Sequence, residues 1–248
     1  MTGRRSATPF PPRSTMVVFL TIILGACASP PMSETPAPGS PEFEGYRASG
    51  NEPFWTVMFG ESTMEFFALG ATDTVTVTRP EAERLDDGWR FDAVTGGGPF
   101  VVRIEERGCG DSMSGRPFPH TVEATVNGRT YTGCGGDTAS LLTGGEWSVT
   151  SLEGAATSGR RPTMSFSADG ALTGNGTCNG YRGTYEITGE GLVIGPAAAT
   201  RMACADDDAN AQEARFFSLI GRVTRFDIAA DGDLVLYAGD SPIIRAER

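Results

Sequence analysis

The chain has 248 residues and a formal net charge of −11, and its 20 basic residues are all arginine. Such an acidic balance argues against binding to nucleic acid, which depends on neutralising phosphates, and against electrostatic docking on anionic lipid. With 33 Gly and 16 Pro the chain is rich in turns, which is typical of an all-β or α+β protein.

The first 26 residues have the pattern of an export signal. A polar head that carries Arg4, Arg5 and Arg13 precedes an apolar core at residues 16–24. Nine residues in a helix rise only about 14 Å, roughly half of the hydrocarbon thickness of a bilayer. The core therefore fits a signal peptide but is too short for a membrane span. Met16 is an alternative start, but it would remove the basic head.

The signal ends in Leu24-Gly25-Ala26-Cys27. This tetrapeptide resembles the bacterial lipoprotein box of leucine, two small residues and cysteine. The resemblance implies cleavage before Cys27 and acylation of its sulfur, which would attach the protein to the membrane through lipid. By the usual sorting pattern, Ala28 and Ser29 imply an outer-membrane lipoprotein that faces the periplasm. The alternative is an ordinary secretory signal followed by a chance cysteine.

Cleavage would leave 17 arginines and all 31 acidic residues, which gives a formal net charge of −14. Residues 27–45 are too rich in proline and small polar residues to bury a core, and they are predicted to form a lipidated tether. The remaining residues, about two hundred, fit two small domains better than one. The predicted domains span residues 46–143 and 144–248.

Four cysteines remain besides Cys27, and in an oxidising compartment an even number predicts disulfides. They are Cys109, Cys134, Cys178 and Cys204. Of the three pairings that four cysteines allow, the local one joins Cys109 to Cys134 and Cys178 to Cys204. Closing either loop would stabilise the fold by about 3 kcal/mol in the chain-entropy model. The alternative is a set of free, buried thiols.

Alternating apolar residues predict that the first domain is all-β. The predicted strands lie at residues 55–59, 63–69, 73–78, 89–94, 100–105, 120–126 and 129–132. Asn127-Gly128 joins the last two strands and is typical of a primed turn in a hairpin. Trp55, Trp89 and Trp147 fall on strand positions, which favours a place in the core over a ligand cage.

The first domain opens with Gly50-Asn51-Glu52-Pro53-Phe54-Trp55. Two later elements accompany it: Cys109, Asp111, Met113, Ser114 and Gly115 in one, and Gly133-Cys134 in the other. Together they resemble an uncharacterised periplasmic domain that begins Gly-Asn-Glu-Pro-Phe-Trp. The resemblance implies no function.

The second domain is predicted to combine strands with one helix, so the whole chain is expected to be mostly β with some α. The strands lie at residues 147–152, 163–167, 171–173, 181–188, 191–194, 224–228, 234–237 and 242–245. Three aspartates, 206–208, suit the positive end of a helix dipole. Phe216, Phe217 and Ile220 form the apolar face of this helix, and Gly221 is a stop signal.

Residues 174–185, which read Gly-Asn-Gly-Thr-Cys-Asn-Gly-Tyr-Arg-Gly-Thr-Tyr, resemble the glycine-rich core of the META domain, the family of the heat-shock protein HslJ. The resemblance continues through residues 200–204 and through Glu213, Phe216 or Phe217, and Leu219. It implies an antiparallel sheet wrapped round one helix. It also implies loose links to stress tolerance, antibiotic resistance and motility, without naming a ligand.

The glycines of this segment also have a physical interpretation. Gly174, Gly176, Gly180 and Gly183 are expected to permit positive φ and close backbone approach beside a disulfide. A phosphate-binding loop would need a following lysine, and the chain contains none. The sequence therefore favours a tight turn pinned by a disulfide.

Two patterns suggest chemistry but lack the rest of a site. Residues 110–114 resemble the nucleophile block of GDS-type esterases, yet the single histidine, His120, does not occur in the Asp-x-x-His pattern that such enzymes use. The aspartates at 206–208, and Asp231 with Asp233, do not fit a calcium loop, and one histidine cannot complete a zinc site. The sequence predicts no catalytic residues, no metal and no cofactor.

The resulting hypothesis is a non-enzymatic envelope lipoprotein that binds a ligand or protein partner, or supports stress tolerance, and does not bind nucleic acid. Asn179, Arg182 and Arg201 are the predicted binding surface, because they are polar residues in or near the glycine-rich segment. A rival hypothesis is an inhibitor of a hydrolase such as lysozyme, because an acidic chain suits a basic target. The stretch at Met113 also faintly resembles lysozyme inhibitors. A third is an enzyme that uses Ser112 or Asp111.

Overall fold

Alternating apolar residues fold most of the chain into two antiparallel sheets. The computed structural model describes residues 2–3, 43–70, 74–189, 191–204 and 206–248. Cys27 lies outside the described residues, as do nearly all of the predicted signal and tether. From Phe43 onward the described chain forms one compact unit. No helix among the described residues has the length and apolar character needed to cross a membrane.

The first sheet contains nine of the strands that the structure describes, in the order β4-β3-β2-β1-β11-β10-β7-β6-β5. A separate two-stranded sheet pairs β8 with β9. The strands are β1 Arg47–Asn51, β2 Phe54–Phe59, β3 Thr63–Ala68, β4 Val75–Thr78, β5 Glu83–Leu85, β6 Gly88–Thr95, β7 Gly98–Glu105, β8 Cys109–Gly110, β9 Pro117–Phe118, β10 His120–Val126 and β11 Arg129–Gly135.

The inner face of the first sheet holds an aromatic core. In β2 the buried residues alternate with outward ones, so that Trp55, Val57 and Phe59 lie inside. Phe59 packs edge-on against Phe91 at 4.8 Å between ring centroids. Removing this much apolar surface from water is the main stabilising contribution to such a sheet. Trp55 is fully buried as predicted, and Trp89 packs at the margin of the core.

The predicted hairpins of the first sheet are confirmed. Asn127 has φ 52° and Gly128 has φ 80°, the pair of positive values that a primed two-residue turn requires. Strands β10 and β11 pair on either side of this turn over seven residues each. Strand β1 is not predicted by alternation, because its Gly50 has no side chain to contribute to an apolar pattern.

The second sheet contains the remaining ten described strands. Eight follow the order β17-β16-β15-β14-β12-β21-β20-β19, while β13 pairs with β12 and β18 with β16. The strands are β12 Glu146–Leu152, β13 Ala155–Ala156, β14 Thr163–Phe166, β15 Ala171–Asn175, β16 Gly180–Thr188, β17 Gly191–Ile194, β18 Ala198–Ala199, β19 Arg225–Ile228, β20 Leu234–Ala238 and β21 Ser241–Glu247.

A 14-residue helix, α1 Asp207–Ile220, packs on the second sheet. Asp206 is its N-cap and accepts a hydrogen bond from the Ala209 amide at 2.7 Å, which confirms the acidic helix start. Phe216, Leu219 and Ile220 are buried in the core, whereas Phe217 is only partly buried. The helix ends at Gly221 as predicted, but Gly221 has φ −74°, so the left-handed conformation available to glycine is not used there.

A short 3-10 turn, Thr138–Leu141, connects the two sheets. Leu142 follows this turn and is buried in the core of the second sheet. Its carbonyl accepts a hydrogen bond from the Trp147 indole at 2.8 Å. The second core therefore includes Leu142, which precedes Gly144, the predicted start of the second domain.

Candidate functional site

Both predicted disulfides are present. Cys109 pairs with Cys134 and Cys178 pairs with Cys204, with Cα–Cα distances of 5.4 and 5.6 Å. Both distances lie in the range that disulfide geometry favours. Disulfides of this kind form in oxidising compartments, so they indicate an extracytoplasmic protein. Each of them also borders a groove.

The groove beside Cys178 and Cys204, called here the Cys178–Cys204 groove, has a volume of about 510 Å³. Its walls come from the segment after β13, the turn between β15 and β16, the segment before α1, and the first turn of α1. The lining residues are Ser158, Gly159, Arg160, Thr177, Cys178, Met202, Ala203, Cys204, Asp206, Asp208 and Ala209.

Glu213, on α1, holds the glycine-rich turn in place. One carboxylate oxygen accepts hydrogen bonds from the backbone amides of Cys178 at 2.9 Å and Asn179 at 2.8 Å. The other oxygen accepts from the Asn179 side chain at 2.6 Å. Burial alone would raise the pKa of Glu213, but these three hydrogen bonds outweigh it and lower the pKa below its ordinary value. The carboxylate is therefore bound as an anion by the turn.

Two further side chains of α1 fix the other walls of the groove. Gln212 accepts a hydrogen bond from the Ser158 amide and donates to the Ser158 and Arg160 carbonyls and to the Thr177 hydroxyl. Asn210 accepts from the Cys204 amide at 3.1 Å. The first half of α1 therefore organises all three neighbouring segments.

Asn210 and Gln212 are not among the residues predicted from the sequence, although the helical pattern contains a signal for Gln212. Gln212 lies one helical turn before Phe216, and Glu213 one turn before Phe217. Residues four apart share a helix face, so Gln212 and Glu213 continue the stripe that packs on the sheet. Polar residues on such a stripe need hydrogen-bond partners, because an unpaired buried polar group is costly.

The three residues predicted to form a binding surface differ in burial: Asn179 is buried, whereas Arg182 and Arg201 are exposed. Asn179 is only 4% exposed, and its side chain bonds to Met202, Thr200 and Glu213. Through these bonds its side chain holds the segment at 200–202 in place, so that side chain is not free to bind a ligand. Arg182, on β16, and Arg201 are exposed but are not among the residues that line the groove. Their role in binding stays a prediction.

The expectation of positive φ in the glycine-rich segment is wrong, because none of Gly174, Gly176, Gly180 and Gly183 adopts it. Close approach accounts for two of them. A methyl group on Gly174 would overlap the Thr163 carbonyl, and one on Gly176 would lie 2.6 Å from the Phe217 ring. Gly180 has no neighbouring atom closer than 3.9 Å. Glycine therefore gives space between strands at Gly174 and space beside α1 at Gly176.

The chemistry of this groove suits binding. Asp206 and Asp208 provide carboxylates, Arg160 a guanidinium, and Met202 an exposed thioether. Among the described residues, Cys178, Cys204 and Glu213 are grouped closely enough to hold a metal ion. The two sulfurs are oxidised to a disulfide, and the carboxylate already accepts three hydrogen bonds, so this group does not fit a metal.

A second groove, the Cys109–Cys134 groove, has a volume of about 430 Å³ on the first sheet. Three sequence elements that resemble the uncharacterised periplasmic domain meet there, at 50–52, 109–112 and 133–134. Asp111 braces its own loop. Burial alone would raise its pKa, but hydrogen bonds from Ser114, Asn51 and Met113 lower the pKa to about 2.

Ser112 does not have the surroundings of a catalytic nucleophile. Its hydroxyl accepts a hydrogen bond from the Asn51 side chain at 3.0 Å. His120 instead shares a hydrogen bond with the Tyr46 hydroxyl at 3.2 Å, and burial lowers the pKa of its imidazole. A serine nucleophile needs a base within hydrogen-bond reach. The bonding of both side chains therefore gives no support to the esterase hypothesis.

Comparison with protein families supports the interpretation of the second sheet. The family model described as META domain matches residues 140–248, somewhat less than half of the chain. The match begins within the 3-10 turn and includes Leu142, in agreement with the extent of the second core. It also contains the whole of the Cys178–Cys204 groove. No curated protein matches the chain.

Two solved structures are each similar to a little under half of the chain. One, titled "NMR structure of the protein", is 20% identical and covers 45% of this chain and 95% of its own, with a TM-score of 0.37. The other, an NMR structure of a protein from Burkholderia xenovorans, is 22% identical and covers 44% and 85%, with a TM-score of 0.36. Scores this low carry no inference about fold or function.

Proposed function

We propose that the protein is a non-enzymatic envelope lipoprotein whose META domain binds a ligand in the Cys178–Cys204 groove as part of stress tolerance. The observation that carries this proposal is the bracing of the groove. A disulfide, Glu213, Gln212 and Asn210 hold its walls. A preformed concave site with few but fixed polar groups is the usual form of a binding site.

The proposed location follows from the lipoprotein-box resemblance together with the disulfides. Acylation at Cys27 would keep the protein at the outer membrane, facing the periplasm, and residues 27–45 would space the folded part from the lipid. An oxidising periplasm is the compartment in which Cys109–Cys134 and Cys178–Cys204 would persist.

The proposal is tested by placing a photo-activatable amino acid at position 202 of the full chain in its native host. Met202 is 62% exposed in the groove, so the change is expected to be tolerated. We expect illumination to produce an adduct at 202 that is absent when the same residue replaces Val193, an exposed position on β17. Equal labelling at both positions would contradict binding in the groove. The intact mass of the purified protein reports in parallel whether lipid is attached at Cys27.

The charge of the chain favours a second candidate function, inhibition of a basic hydrolase such as lysozyme. Without residues 1–26 the formal net charge is −14, which suits electrostatic attraction to a basic enzyme. A lysozyme assay with micromolar protein separates the two candidates. Full enzyme activity at that concentration would remove inhibition of lysozyme from consideration.

A further inference from the structure

The outer face of the β2–β3 hairpin carries an unusual concentration of exposed apolar side chains. Eight large apolar residues are exposed in the part of the chain that the structure describes, and four of them lie on this one hairpin. They are Phe54 at 42%, Met58 at 47%, Phe67 at 37% and Leu69 at 70% exposure. We call these four residues the hairpin patch.

The strand register makes the hairpin patch contiguous. The Leu69 amide donates to the Phe54 carbonyl at 2.8 Å, so these two residues lie side by side. The next outward pair is Thr56 with Phe67, and the one after it is Met58 with Glu65. Side chains of directly opposed residues lie about 5 Å apart, so the four apolar groups form one surface around Thr56. Single exposed apolar residues are common, but a joined group of this kind indicates an interaction site.

The inward residues of the same strands show that the patch is not a displaced part of the core. Trp55 and Phe66 point to the other side and are buried, and their rings stack at 6.0 Å between centroids. The hairpin therefore already has a complete apolar inner face. The outward apolar residues add nothing to that core.

The charges around the patch favour a basic partner. Glu65 lies within the patch, Glu52 precedes Phe54, and Glu61 lies in the hairpin turn; none of them has an ion-pair partner among the described residues. Arg47, opposite Met58 on β1, is an exposed cation beside the patch, while Arg79 donates to the Gly60 carbonyl. Carboxylates left unpaired at the rim of an apolar patch attract positive charge.

We propose that the hairpin patch docks a protein partner that presents an apolar surface bordered by arginine or lysine. The inference rests on the proposed binding role but concerns a different surface from the Cys178–Cys204 groove. An anionic lipid surface and a second copy of this acidic chain are disfavoured, because each would bring further negative charge towards Glu65. The patch also adjoins the Cys109–Cys134 groove, since Asn51 of that groove pairs with Phe54.

The experiment places the photo-activatable amino acid at position 69 of the full chain in the native host, with position 94 on β6 as the exposed control. We expect an adduct at 69, identified by mass spectrometry as a protein that is basic at neutral pH. Glu65→Lys should lower its yield about two- to fivefold, the range for an exposed charge pair. Glu123→Lys makes the same charge change on β10 and should have a smaller effect.

Adducts at position 69 with lipid or with a second copy of the chain, or no labelling above position 94, would overturn the proposal. Equal losses in Glu65→Lys and Glu123→Lys would overturn it as well, because the effect would then be one of net charge only. Labelling at 202 without labelling at 69 would refute the hairpin patch alone. Labelling at 69 without labelling at 202 would refute the groove and leave the patch supported.

Discussion

Gly174→Ala should lower the free energy of unfolding of the second sheet by about 3 kcal/mol, the upper range for overpacking a tightly packed site. The added methyl group would overlap the Thr163 carbonyl oxygen on β14 and lie 3.1 Å from the Tyr181 ring on β16. The Tyr181 hydroxyl already donates to that same carbonyl at 2.9 Å, so the strands cannot separate without losing this bond. The change is therefore expected to strain three strands at once.

Urea titration of the oxidised protein, followed by the fluorescence of the tryptophans, measures the change. Trp147 reports on the second core, and Trp55 and Trp89 report on the first. Gly180→Ala is the matched control, because no atom lies closer than 3.9 Å to its added methyl group. It should change stability by less than about 1 kcal/mol. Equal destabilisation by both substitutions would refute the close-approach explanation.

Glu213→Gln should destabilise the second sheet by about 2 kcal/mol at neutral pH, because one amide nitrogen replaces an oxygen where donors converge. The carboxylate accepts from the Cys178 and Asn179 amides and from the Asn179 side chain. Glutamine has nearly the same volume as glutamate, but its NH2 group would face the N–H groups that now donate to the carboxylate. The loss is limited to this size because the carboxylate is partly exposed to water.

The destabilisation caused by Glu213→Gln should become smaller as the pH falls. Hydrogen bonding lowers the pKa of Glu213 in the folded protein below its ordinary value of 4.5. A depressed folded pKa means that the stabilisation is present above pH 4.5 and is lost as pH falls through the folded pKa. The difference in free energy of unfolding between wild type and Glu213→Gln should therefore become smaller as the pH falls below 4.5.

Amide hydrogen exchange at Cys178 and Asn179 measures the local effect, since it reports on opening of individual segments. Glu186→Gln, an exposed charge change on β16, is the control and should leave exchange at these two amides unaltered. If the difference in free energy of unfolding between wild type and Glu213→Gln became larger as the pH fell, the assigned role of the carboxylate would be contradicted.

The strands and the helix could be predicted largely from the sequence because their signals are local. Alternation predicts β2 and β3, Asn127-Gly128 predicts a hairpin, and the aspartates at 206–208 predict the start of α1. The weaker elements, such as β1 and β18, contain glycine or alanine in place of a repeated pattern of large apolar residues. The mostly β fold with one helix is confirmed.

The candidate site was less accessible to prediction, because its parts come from separate segments. The Cys178–Cys204 groove joins residues near 158, 177, 202 and 206, which the helix side chains Gln212 and Glu213 bring together. Local patterns show neither that Asn179 is buried nor that Gly174 lies against Thr163. Both facts depend on which strands become neighbours.

The local pairing of the cysteines has a consequence for biogenesis. If the chain crosses the inner membrane amino-terminus first, as the proposed signal requires, Cys109 meets Cys134 before either later cysteine has emerged. Cys178 then finds Cys204 after only 26 further residues. Translocation from the amino-terminal end would therefore expose the two cysteines of each disulfide one after the other. We expect maturation of this protein to need an oxidase but little disulfide reshuffling by an isomerase.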